Sequence, residues 1–147
     1  MRRLALGMVL TVVGSIASIA QYSEQYSRCL NKANTQTAMH VCANEEALRV
    51  DAELNDTYQK LLSAVGNQSA AVKKIRATER AWIAYRDTYI DAMYPAQDKQ
   101  AAYGSIFPME VDLLRARLTK QQIGALKDLL KRYGGSKQGE SGRRSPG

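Results

Sequence analysis

The chain has 147 residues, with 21 Lys/Arg against 14 Asp/Glu for a net charge of +7, and 45% hydrophobic residues. That length holds one ordinary domain, and a 24% charged share excludes both a fibrous and a wholly disordered chain. Two cysteines and one histidine are too few for a Cys/His zinc site, and no Gly-rich phosphate loop, GxSxG or HExxH occurs.

The charge is unevenly placed. Arg2 and Arg3 lie at one end and Lys137, Arg143 and Arg144 at the other, leaving residues 21–133 with 16 basic and 13 acidic side chains. A nucleic-acid binder keeps its basic excess inside the folded unit, so no nucleic-acid partner is expected. Residues 1–20 read as a signal peptide. Arg2 and Arg3 form its basic start, Leu4 to Val13 its apolar run, and Ser18 and Ala20 the small residues before a cleavage at Gln21. The apolar run is shorter than the roughly 20 residues a bilayer requires. The expectation is a periplasmic or secreted protein without a stable membrane anchor.

Export sets the reading of Cys29 and Cys42. A pair in an oxidising compartment is usually bridged. A redox pair would favour CxxC spacing, and a metal pair helped by His40 lacks further ligands. A disulfide closing this loop stabilises by about 3 kcal/mol in the loop-entropy picture. No metal or cofactor is expected.

In chain order, the first helix is predicted between Thr35 and Val65. Val41, Leu48, Leu54, Tyr58, Leu61, Leu62 and Val65 recur at spacings of three, four and seven. Asn34 or Thr35 can cap its start, and Gly66-Asn67 stops it. The second spans Ser69 to Met93, with Val72, Ile75, Trp82, Tyr89 or Ile90, and Met93 on its stripe, and ends before Pro95. Residues 95–107 read as a loop. A third helix runs from Pro108 through Val111, Leu114 and Leu118. Thr119-Lys120-Gln121-Gln122 matches a capping box, so a fourth is placed from there to about Arg132, ended by Gly134-Gly135. The expectation is an all-α fold, a small antiparallel bundle of three to four helices with one disulfide, over residues 21–133. Residues 134–147 read as a disordered polar tail.

Two motif groups stand out. Asp51, Leu54-Asn55 and Tyr58 follow the cysteine pair, and Arg80-Ala81-Trp82-Ile83 precedes Tyr85-Arg86-Asp87. Gly104-Ser105-Ile106 and Leu118-Thr119 come later. In this order and spacing the chain resembles the lysozyme inhibitor LprI N-terminal domain family over roughly Cys29 to Leu126. The resemblance implies an exported protein that binds a lysozyme or another peptidoglycan hydrolase. Many members carry a second cysteine pair; its positions here correspond to Ile90 and Leu114, whose packing is expected to replace it. Glu79 stands where glutamine is common in that family, and Gln122 where arginine is common.

Trp82 reads as core. Asp51, Asn55, Arg80, Arg86 and Asp87 read as an interhelical hydrogen-bond and salt-bridge network that fixes register. The competing reading makes some of them a recognition surface with Tyr58 and Tyr85, since tyrosine and arginine are favoured anchors. Residues 44–56 carry five carboxylates and one arginine. Glu45, Glu46 and Glu53 are therefore candidate partner-binding residues that could steer a cationic lysozyme, together with Tyr58, Tyr85 and Arg86. An envelope interaction module without inhibition is the alternative. A glycosidase built on a pair such as Glu45 and Glu79 has no supporting signature.

Overall fold

The computed structural model describes residues 22–141, with side chains over 22–135. The expected signal segment, its cleavage site and residues 142–147 lie outside the described residues. The elements are α1 (Glu24–Leu30), α2 (Gln36–Val65), α3 (Ser69–Met93), α4 (Lys99–Tyr103) and α5 (Phe107–Ser141), with no strand among the described residues.

Local chemistry explains the ends of α2. The Thr35 hydroxyl accepts from the Ala38 amide at 3.1 Å, satisfying one of the orphan donors of the first turn. Gly66 closes the helix at φ +62°, a conformation that costs glycine little. Helix α3 occupies the span its spacing predicts and ends two residues before Pro95. Inside the expected 95–107 loop, the Asp98 carboxylate caps the short α4 by accepting from the Ala101 amide.

The expected break at Thr119 is absent: α5 is one helix. Thr119 and Gln122 are both buried and lie on the stripe formed by Ala116, Ile123 and Leu126. A T-x-x-Q string caps only where the backbone at its threonine leaves the helix, and here the apolar period runs straight through it. The stop expected at Gly134-Gly135 is also absent, since helical backbone continues to Ser141. Among the described residues only Gly66 and Gly104 take positive φ. Leu129, Leu130 and Tyr133 still pack on the main core, anchoring the turns that lead into the glycines.

Four hydrogen bonds define the topology. Gln36 bonds Ser105, Asn44 bonds Asp112, Lys120 bonds Glu46 and Lys127 bonds Glu53, at sequence offsets of 69, 68, 74 and 74. A nearly constant offset means that α2 and α5 run parallel. Helix α3, joined to α2 by a short turn, runs antiparallel to both, giving an up–down–up bundle.

The main core joins Val50, Leu54, Leu61 and Val65 of α2 to Ile75 of α3 and Ala116, Ile123 and Leu126 of α5. Ala43, Ala47 and Ala116 are buried too. Their small size lets the helices approach closely. Val41 and Leu48, read from sequence as core-facing, are instead 51% and 63% exposed. The inner face of α2 is marked by alanines and by buried Glu46 and Thr57, which a count of large apolar residues passes over. Met93 is likewise half exposed. Ile90 and Leu114 share one cluster with Leu118, as their correspondence to a cysteine pair implies.

The bridge Cys29–Cys42 is formed, with Cα atoms 5.7 Å apart, and ties α1 to α2. Tyr26 is buried beside it. The α1 cap, Ser23, donates to Glu46 from both its amide (3.0 Å) and its hydroxyl (2.5 Å).

Candidate partner-binding site

The first motif group lies on one side of α2 because its members are three and four residues apart. Leu54 turns into the core, Tyr58 packs against it, and Asp51 and Asn55 are exposed. Asn55 Nδ2 donates to Asp51 Oδ2 at 3.3 Å within the helix. The second group lies on α3. Arg86 Cζ sits 5.2 Å from the Trp82 ring centroid, a cation–π stack, and its Nε donates to Asp87 Oδ1 at 2.8 Å. Trp82 is partly buried against the main core, so the tryptophan is both packing and wall.

Across the α2–α3 interface these groups face each other. Asp51, Leu54, Asn55 and Tyr58 on one side and Arg76, Glu79, Arg80, Trp82, Ile83 and Arg86 on the other line an open groove of about 350 Å³. Arg76 and Arg80 also line a second, adjoining depression that reaches Gly66 and Asn67 at the α2–α3 turn. The structure thus brings Asp51, Asn55, Tyr58, Arg80, Trp82 and Arg86 together. Tyr85 is outside this lining; it is 56% exposed with its ring against Tyr89.

The expected interhelical network of Asp51, Asn55, Arg80, Arg86 and Asp87 does not form. The contacts of Asp51 with Asn55 and of Arg86 with Asp87 stay within one helix. Arg80 has no ion-pair partner among the described residues. The polar link from α3 to the bundle is a different one: Gln122 Nε2 donates to the buried Glu79 Oε2 at 2.8 Å.

The acidic stretch also differs from expectation. Glu46 is fully buried and cannot touch a partner. Its carboxylate accepts from Ser23, from Arg49 at 2.8 Å and from Lys120 at 2.7 Å. Burial pushes this carboxyl up, but the hydrogen bonds from Lys120 and Ser23 outweigh it and hold it below its ordinary value. Glu53 pairs with Lys127, and Asp56 with Lys60. Glu45 alone of the three candidate glutamates is exposed without an ion pair among the described residues. The five carboxylates in sequence are mostly neutralised by neighbours folded onto them, so the stretch is not an acidic face.

Helix α3 is the opposite case. Lys73, Lys74, Arg76 and Arg80 have no ion pair among the described residues and are exposed. Sequence reasoning passed over Arg76, although it lies four residues before Arg80 and seven before Ile83, on the same helical face. Glu79 and Glu45 do not share a groove, and no cluster of three potential metal ligands occurs among the described residues. No described helix is long and apolar enough to cross a membrane.

Fold and groove define a class: small disulfide-tied α-helical proteins whose signature residues meet between two antiparallel helices. The chain belongs to the lysozyme inhibitor LprI family, which matches residues 29–126. It is also similar to an uncharacterized protein of Rhizobium meliloti (strain 1021), with 29% identity over 141 residues, covering 88% of this chain and 96% of the relative. No solved structure matches the chain significantly.

Proposed function

We propose that this protein is an exported, non-catalytic inhibitor that binds a lysozyme or related peptidoglycan hydrolase stoichiometrically. The observation that carries the reading is the family match over 29–126, which takes in both cysteines and every lining residue of the α2–α3 groove. A disulfide-tied bundle suits the role, because a rigid surface loses little entropy on docking. Export to the periplasm or medium is supported by the bridged cysteines and by the signal-like pattern of residues 1–20.

The binding surface under this reading is the α2–α3 groove with Tyr58, Trp82 and Arg86, in place of the acidic stretch. Titrating the mature protein into turbidity assays with c-type, g-type and i-type lysozymes tests the function. Inhibition saturating at a one-to-one ratio is the expected result. A folded protein that inhibits none of them would leave the chain an envelope interaction module instead.

A further inference from the structure

The ion pairs of the 44–56 stretch leave it less acidic than its linear sequence suggests. The groove keeps arginines without an ion pair among the described residues beside the exposed Asp51, and this bears on what the groove receives. Arg49, Lys60, Lys120 and Lys127 sit on carboxylates of the 44–56 stretch. On α3, Arg76 and Arg80 stay without an ion pair among the described residues, beside the apolar walls of Trp82, Tyr58 and Ile83. A guanidinium against such a wall gains more from an arriving carboxylate than one in open water, because the local dielectric is lower.

Shape points the same way. Helix α3 buries only Ile75, Glu79 and Ile90. Ala71, Val72, Trp82 and Tyr89 pack partly against the core, and the exposed face of α3 carries Arg76 and Arg80 along the outer edge of the groove. Arg76 and Arg80 are four residues apart, so their Cβ atoms lie about 5–6 Å from each other on one helical face. Glycoside hydrolases hold two catalytic carboxyl groups about 5–9.5 Å apart across a saccharide cleft. Two guanidiniums on flexible stems span that separation.

We infer that Arg76 and Arg80 engage the partner by pairing with the two catalytic carboxylates of the hydrolase cleft. This rests on the inhibitor reading and names its chemistry. Inhibition then follows directly: a carboxyl group held in an ion pair cannot act as general acid or nucleophile, and the docked groove edge excludes the glycan. Both arginines are exposed and lie outside the core cluster, so their replacement leaves the fold intact.

The test measures affinity and inhibition with a lysozyme that the parent protein inhibits. Arg76→Glu/Arg80→Glu should bind about 30-fold more weakly or worse, the scale of losing a desolvated charge pair. Arg76→Gln/Arg80→Gln, which removes charge without introducing repulsion, should lose about tenfold or more while melting like the parent. Glu45→Lys/Glu53→Lys should bind like the parent. Changing the catalytic carboxylates of the lysozyme to amides should weaken binding of the parent but not of the arginine double variants. If both double variants fold and inhibit like the parent, the arginine assignment falls and the inhibitor reading stands. If the amide lysozyme binds the parent unchanged, the catalytic carboxylates are not the target. If a soluble muropeptide binds the parent in an arginine-dependent way while lysozyme affinity ignores the arginines, the groove is a glycan site. A parent that inhibits no lysozyme overturns both readings together.

Discussion

Gln122 on α5 donates to Glu79 on α3 at 2.8 Å, the direct side-chain hydrogen bond that ties α3 to α5. The contact is buried. Gln122→Leu leaves the Glu79 carboxylate without its donor and should cost about 1–3 kcal/mol. Changing Glu79 to leucine as well should recover most of that loss, because no buried polar group is then left unsatisfied. Urea melts of the two single variants and the double variant check the coupling. Additive losses would show that the bond does not couple the helices.

Glu46 makes acid stability sensitive to one residue. Its folded carboxyl titrates below the ordinary value, so the ionised form stabilises the fold at neutral pH. That contribution is lost as pH falls through the ordinary carboxylate range toward the lower folded value. Glu46→Gln should be less stable than the parent by about 2 kcal/mol at pH 7, since hydrogen bonds to a charged group are replaced by neutral ones. The gap should narrow steadily on acidification. Denaturant midpoints measured from pH 7 to pH 2 give the comparison, and a gap independent of pH would contradict it.

The bridge between Cys29 and Cys42 should leave no thiol reactive in the denatured, non-reduced protein. Reduction should lower stability by about 3 kcal/mol. It should also loosen α1, which loses its covalent tie while Ser23 still holds Glu46. Hydrogen exchange before and after reduction should therefore rise first in Glu24–Leu30, with the α2–α5 core unchanged.

Ile90 and Leu114 occupy one buried cluster, at the positions that the family resemblance sets against a second cysteine pair. The double variant Ile90→Cys/Leu114→Cys should form a second disulfide under oxidising conditions, as cysteines with Cα atoms within about 7 Å can. Peptide mapping without reduction would detect it. Two free thiols after oxidation would mean that packing has replaced the bridge with a different spacing.

Much of this protein is determined within short stretches of its sequence. Thr35 and Gly66 bound α2 through a side-chain cap and a positive φ, both local effects, and the spacing from Ser69 to Met93 sets α3. The cysteine pairing was legible because only two cysteines exist. The continuity of α5 was not, because Thr119 and Gln122 look like a cap to any reading that cannot see their burial. The site was half legible. Periodicity places Asp51, Asn55 and Tyr58 on one face of α2, and Arg80 belongs with Arg76 on α3, but only helix packing makes those faces oppose each other. Charge was the least legible property. Lys120 and Lys127 neutralise Glu46 and Glu53 from 74 residues away, while Lys73, Lys74, Arg76 and Arg80 of α3 find no ion-pair partner among the described residues. Capping and periodicity act within a helical turn or two, so the sequence alone carries them; net electrostatic sign depends on which distant charges the fold brings together, so only the tertiary structure decides it.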